Sequence, residues 1–397
     1  MPGLKTEITE IATGLGMLGV GLGDALASPP SEFVNVDDAT WSRLDGAFRS
    51  GSHAALFTHA WANGRAFLTA SDGLRRRLPR RVEWKGPDRQ VEADPIPADL
   101  RIDHVYLVSI KTRSDVLANR SPARLFLGRP ATGNWFLLTA PDEYRALYRA
   151  VVAYVEEAAP MAGVAGVAGV AGVAGAAGAA GTAGTAARPV TGDGGSAELA
   201  GHGPGLPGLT PDTPPTGAAY PTGSTCRYPD DVAELTAADG KALGRLLPGR
   251  SWPASLHSRY LDLVRAVSAE SARRWNEALV SAADREQQAW RLLRLAPAPY
   301  FVLGTSSAGP LRIRVDTPWD WRRTWEFVAL DVRPAVAAGQ PQVDWTLRAR
   351  ERSTGIERVT EGYVEVRWSH GRFSGAPEAK VQLRSRHEDV PGYTPLT

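Results

Sequence analysis

Between Met161 and Ala187 the chain reads MAGVAGVAGVAGVAGAAGAAGTAGTAA, with glycine at every third position. No other stretch constrains the fold as strongly. Val, Ala and Thr fill the remaining positions and proline is absent, so the run lacks the stiffening residues of a triple helix. It also lacks the large side chains whose burial offsets the entropy of ordering a chain. Gly-, Pro- and Thr-rich sequence continues to about Thr225. Residues 159–225 therefore read as a linker or insertion. It divides the chain into a tail or helix over 1–38, an α/β core over 39–158 and an α+β domain over 226–397. The 397 residues suffice for two domains.

Charged residues make up 22% and hydrophobic residues 43%, as in ordinary globular proteins, and the net charge of +2 points to no acidic partner. The positive charge is clustered, however: Arg75, Arg76, Arg77, Arg80 and Arg81 fall almost together. Such a patch suits a nucleic-acid backbone or a solvated helix end. A single cysteine, Cys226, excludes a disulfide framework and any multi-cysteine zinc site, and fits a reducing compartment. No secretory signal is legible, and IATGLGMLGVGLGDALA is too short and glycine-rich to span a bilayer. The expected location is the cytoplasm, without a membrane partner. Gly14, Gly16 and Gly19 match the dinucleotide-binding spacing, but LKTEITEIAT before them reads as helix or tail, not as the strand that fingerprint requires.

Ahead of the linker, a helical pattern opens at Ala39-Thr40 and runs to Leu68, with a break suggested at Gly51-Ser52. RRVEWKG reads as a strand and RQVEAD as its hairpin partner. ADLRIDHVYLVSIKT carries the strongest strand signal. SPARLF opens a short helix capped by Ser121 with Pro122 at its first position. NWFLLT is predicted as a strand and PDEYRALYRAVVAYVEEA as an amphipathic helix. Beyond the linker, Ala254 to Leu295 is mostly helical. PYFVLG, LRIRVDT, WEFVALDVR, VDWTLRARER, GYVEVRWS and AKVQLRS then predict an antiparallel sheet with one wet face.

Strand alternation sets Asp99, Arg101, Asp103, Val105, Leu107, Ser109 and Lys111 on one face. Leu100, Ile102, His104, Tyr106, Val108 and Ile110 fall on the other, which is the candidate core face. The first face ends in polar groups that a core rejects unless they are paired. A lysine ending a central strand beside carboxylates suits metal-assisted stabilisation of charge on a phosphate.

The order helix, strand, strand with acid, strand ending in Ser109-Ile110-Lys111, helix, strand resembles the PD-(D/E)xK nuclease superfamily over residues 40–157. DLRIDHVYLVS-x-K followed by LANRSPARLF is also similar to a pattern in actinobacterial proteins. The resemblance implies a restriction-endonuclease-like αβββαβ core acting on DNA with Mg²⁺, in a defence or mobile-element setting. Carried over, Lys111 orients the attacking water. Asp103 or Asp99 supplies the first carboxylate, Ser109 takes the second acidic position, and Glu83 is the candidate substitute for the missing acid. Arg113, Asn119, Arg120, Arg124 and Arg76 become phosphate contacts. Two departures accompany it. Ser109 is no carboxylate, and an unbroken strand would hold Asp103 and Lys111 ~26 Å apart. Either the chain turns between them or the carboxylate comes from a neighbouring strand. The alternative reading is a non-catalytic nucleic-acid-binding or interaction protein on a degenerate nuclease-like scaffold.

Three other candidates stand in the C-terminal half. Glu378-Ala379-Lys380 repeats the acid-x-lysine letters, with Asp344 and Glu365 on nearby predicted strands. His370 sits in a loop beside Trp368 and Arg372. Trp275, Trp290, Trp319, Trp321, Trp325, Trp345 and Trp368, interleaved with Arg322, Arg323 and Arg348, suit either a core or stacking on single-stranded bases. No Walker loop, H-E-x-x-H or EF-hand pattern occurs, and GTSSAG is not a nucleophile elbow.

Overall fold

In the computed structural model, which describes residues 3–86, 96–112, 116–165, 228–247, 251–306, 309–335, 339–368 and 371–397, the N-terminal glycines are packing devices. They lie on helix α1 (Leu4–Leu18), which is followed by α2 (Leu22–Ala27), β1 (Phe33–Val34), α3 (Asp38–Arg49) and α4 (Ala54–Thr69). A Cβ on Gly16 would collide with the carbonyl of Trp61, and one on Gly64 with that of Thr13, so α1 and α4 touch backbone to backbone. Gly19 ends α1 in the left-handed conformation. The fingerprint-like spacing thus has a helical and steric cause. The Asp37 carboxylate caps α3 by accepting the Thr40 N–H at 2.6 Å, and the break at Gly51-Ser52 separates α3 from α4.

The segment expected as one strand is a hairpin. β2 (Val82–Trp84) pairs antiparallel with β3 (Leu100–Ile102), which pairs antiparallel with β4 (Tyr106–Lys111). Asp103 and His104 both take positive φ, 48° and 58°, and the Val105 N–H closes the turn on the Ile102 carbonyl at 2.9 Å. This is the primed turn that matches strand twist, built with aspartate and histidine in seats that glycine and asparagine usually hold. RQVEAD lies outside the described residues.

Next come β5 (Val116–Arg120), α5 (Pro122–Phe126), α6 (Trp135–Thr139), α7 (Pro141–Ala165), α8 (Ala237–Arg245), α9 (Ala254–Ala278) and α10 (Ala282–Leu292). The NWFLLT run is helical in α6, not extended. Its burial recurs at Trp135-Phe136 and Thr139-Ala140, a helical spacing that an apolar run this short does not reveal. The remaining elements are β6 (Tyr300–Ser306), β7 (Gly309–Val315), α11 (Pro318–Thr324), β8 (Trp325–Pro334), β9 (Gln342–Glu351), β10 (Glu357–Arg367), β11 (Glu378–Leu383) and β12 (Tyr393–Pro395).

The fold is mixed α+β, with one mixed and one antiparallel sheet. The mixed sheet has the order β1-β2-β3-β4-β6-β7-β12, with β6 parallel to β4; the antiparallel sheet runs β5-β11-β10-β9-β8. Both sheets belong to one compact unit, Met1–Trp135 with Arg265–Ser369 and Pro377–Thr397. They cut across the division expected at residue 226, because β6, β7 and β12 extend the N-terminal sheet while β5 joins the C-terminal one. The second unit, Phe136–Val264 with His370–Ala376, is helical in its described part, where Tyr144 stacks on Phe373 and Arg372 lies 4.4 Å over the Trp252 ring.

Helices α1 to α4 cover one face of the mixed sheet. Ile8, Ile11, Leu15, Phe57 and Phe67 pack there against Val82, Trp84, Leu100, Ile102, Val108 and Leu303. In the antiparallel sheet Val343, Trp345, Leu347 and Ala349 alternate inward with Asp344, Thr346, Arg348 and Arg350 facing outward, which is the wet face the sequence predicts.

Candidate functional site

The face of the mixed sheet opposite the helices carries the polar groups. Register pairs Ser109 with Val302 and Lys111 with Gly304 across β4 and β6, and Val302 with Ile313 across β6 and β7. Alternation therefore brings Ser109, Lys111, Tyr300, Val302, Leu311 and Ile313 to one pocket. Val116 and Leu117 of β5, Pro97, Arg294, His387 and Tyr393 complete its wall. Three of these groups are basic, Lys111, Arg294 and His387, and no carboxylate lines the pocket among the described residues. Gly304 has φ 151°, and a Cβ there would collide with the Lys111 carbonyl. The close approach of the two backbones beside the lysine thus depends on glycine.

The hairpin decides which carboxylate lies near Lys111. Asp99 precedes β3 and stands opposite Ser109; its Oδ2 accepts the Ile110 N–H at 2.6 Å and the Ser109 hydroxyl at 3.3 Å. Both Asp99 and Ser109 are buried. Asp103 lies instead in the turn at the far end of β4, roughly 17 Å of strand from Lys111. Its Oδ1 accepts the N–H groups of Arg80 and Arg81 at 2.8 and 3.0 Å, and Arg77 stands 3.4 Å from Oδ2. Asp103 therefore ties the hairpin turn to the arginine-rich segment before β2. Glu83 shares a face with Asp99, but Arg101 grips it by ion pair and by an Nε–H bond of 2.6 Å, and Asn35 approaches it at 3.5 Å.

Magnesium asks for near-octahedral oxygen ligands anchored by one or two carboxylates. Here Asp103 is remote, Glu83 is neutralised, Ser109 is a hydroxyl, and Asp99 already accepts two hydrogen bonds on one oxygen. No group of three His, Cys, Asp or Glu able to hold a metal occurs among the described residues. Among the described residues, these side chains alone do not make up such a ligand set.

The other sequence candidates separate. Arg113 and His370 lie outside the described residues. Arg76 sits in a left-handed turn after α4, in the cluster at the Asp103 end of the hairpin. Asn119 bonds Glu378 at 2.8 Å across β5 and β11. That second acid-x-lysine belongs to a lattice of charges on the wet face, where Gln382 bonds Glu365 and Arg384 bonds Asp344. Trp275, Trp321 and Trp345 are fully buried, Trp290 and Trp325 pack with the core, and Trp319 is 73% exposed.

Arg120 lies within electrostatic reach of Arg124 and of two residues that sequence reasoning passes over, Arg291 and Arg294 at the end of α10. Although Arg120 is exposed at the end of β5, partial desolvation, and then the charges of Arg294, Arg291 and Arg124, push its pKa down. No local pattern marks His387 either, since it reaches the pocket only through the turn before β12. Burial raises Tyr300 to about 12, so its hydroxyl stays protonated and donates to the Arg294 carbonyl at 3.2 Å.

No protein-family model matches this chain, and comparison with curated proteins and with solved structures gives no match either. No helix among the described residues is long and apolar enough to cross a membrane.

Proposed function

We propose that the Lys111 pocket, on the face of the mixed sheet turned away from α1 to α4, binds the phosphate backbone of nucleic acid without cleaving it, on a scaffold resembling that of the PD-(D/E)xK nucleases. The observation that carries this reading is the charge of one pocket. Lys111, Arg294 and His387 converge beside Ser109, while the carboxylate of Asp99, opposite Ser109, is engaged by Ile110 and Ser109. Cationic side chains at a partly enclosed surface bind phosphates by charge-assisted hydrogen bonds and by release of counterions. Such binding needs no acid pair and tolerates serine at position 109.

A second reading, Mg²⁺-dependent cleavage at the same place, draws support from strand order. α4 precedes three neighbouring strands, β2, β3 and β4, and β6 then lies parallel to β4, with Asp99, Ser109 and Lys111 together at one end of the hairpin. Labelled double- and single-stranded DNA incubated with the full chain separates the two, with EDTA in one arm and Mg²⁺ or Mn²⁺ in the other. The binding reading expects retention of intact DNA in both arms and weaker retention by Lys111→Ala. Metal-dependent cutting lost in Lys111→Ala would replace it by the nuclease reading.

A further inference from the structure

Arg294 occupies a backbone seat that glycine fills at the lowest cost. Helix α10 ends in a Schellman motif: the Arg294 N–H bonds the Arg291 carbonyl at 3.3 Å, and the Leu295 N–H bonds the Trp290 carbonyl at 2.9 Å. Between them Arg294 takes φ 60°. Left-handed residues at this position are mostly glycine, since a Cβ is strained there. Strain of this kind gathers where a side chain has work to do at a site.

The side chain's surroundings supply that work. Arg294 lines the Lys111 pocket. One turn earlier on the same helix, the Arg291 guanidinium lies against Gly128, where an added Cβ would stand 3.8 Å from Nη1. Gln288 bonds the Leu125 carbonyl at 3.4 Å and so holds α10 against α5, the helix of Arg124. Arg120 ends β5, the strand whose Val116 and Leu117 also line the pocket. Among the described residues no carboxylate pairs with Arg120, Arg291 or Arg294, whereas most arginines of this unit's wet sheet face have one. Guanidinium groups gathered without counter-charge favour a phosphate, which each can grip through two parallel N–H bonds.

We propose that Arg120, Arg291 and Arg294 form a second phosphate site, joined through Arg294 to the Lys111 pocket, so that one nucleic-acid strand lays neighbouring phosphates on both. The proposal rests on the phosphate-binding reading of the Lys111 pocket and gives that surface a direction, from β4 past the end of α10 to the end of β5. A free polyphosphate offers the same chemistry, so the test carries an arm for each source.

The test compares wild type, Lys111→Ala, Arg291→Gln and Arg294→Gly as full chains. Each is titrated with a labelled single-stranded oligonucleotide over a range of KCl, and with inorganic tripolyphosphate by calorimetry. Arg294→Gly is the informative variant, because it relieves the left-handed strain: its thermal midpoint should hold or rise while its oligonucleotide affinity at low salt falls about tenfold. Arg291→Gln should fall comparably, and each variant should flatten the salt dependence by about one counterion. Wild-type affinity in both arginine variants, with Lys111→Ala impaired, would overturn the second site and leave the first standing. Impaired arginine variants with Lys111→Ala unaffected would overturn the joined path and the Lys111 pocket, leaving an arginine site alone. Loss of tripolyphosphate binding with oligonucleotide binding intact would assign a free phosphate and overturn the strand.

Discussion

Asp99 and Ile110 are joined by a hydrogen bond of 2.6 Å, from the Ile110 N–H to the Asp99 carboxylate, across the open end of the β3–β4 hairpin. The bond locks the segment that presents Ser109 and Lys111 on either side of Ile110. It also engages a carboxylate that a nuclease reading would recruit beside the lysine.

Asp99 is accordingly a structural residue. Asp99→Ala leaves a half-buried N–H and a buried hydroxyl without their acceptor and should cost about 1–3 kcal/mol. Asp99→Asn keeps an acceptor oxygen and should cost less. Urea unfolding of the two variants beside wild type measures both, and a loss under about 0.5 kcal/mol for the alanine variant would refute the role.

Glu83 depends on Arg101. Its carboxylate is nearly buried and Arg101 is about one-third exposed, so the pair is only partly screened. Arg101→Ala strands the carboxylate and should cost about 1–3 kcal/mol, while adding Glu83→Gln should recover part of that loss. A double-mutant cycle by chemical denaturation reads the coupling; a double variant no more stable than Arg101→Ala would contradict it.

Gly304 sets the contact between β4 and β6 beside the lysine. Gly304→Ala introduces a Cβ into the Lys111 carbonyl at a φ that L residues rarely adopt. It should cost roughly 3 kcal/mol and lower phosphate affinity together with stability. Thermal melts establish the first effect, and binding measured well below the melting midpoint the second.

Tyr300 gives the protein an alkaline limb. Burial raises it from 10.0 to about 12, so the folded chain holds a proton that the unfolded chain loses first. Stability should therefore be intact below pH 10 and fall as pH rises from 10 towards 12. Tyr393 is raised as well, by burial and by Tyr300, and adds to the same limb. Tyr300→Phe should shallow the decline in denaturation curves taken across that range; an unchanged slope would assign it to other groups.

Local chemistry made part of this legible in the sequence. Ser121 and Pro122 open α5 as their types predict, with the Ser121 hydroxyl accepting the Arg124 N–H at 3.3 Å. Strand alternation placed Ser109 and Lys111 on the face away from Val108 and Ile110. The hairpin turn stays one of two alternatives in the sequence, because Asp103 and His104 hold left-handed seats without glycine or asparagine to announce them. The partners of β4 escaped for a different reason. Ser109 meets Val302 nearly two hundred residues away, and no local pattern encodes that pairing. Arg291, Arg294 and His387 reach the site through the same long-range pairing, so a reading confined to the Ser-x-Lys strand stops at its own neighbours.

The most direct test of the phosphate-binding reading is the affinity of the full chain for a labelled oligonucleotide in EDTA, measured across KCl concentrations for wild type and Lys111→Ala. The account expects log affinity to fall linearly with log salt in wild type, with a slope shallower by about one in the variant. Affinity independent of salt, no binding at low salt, or identical slopes for the two proteins would contradict it.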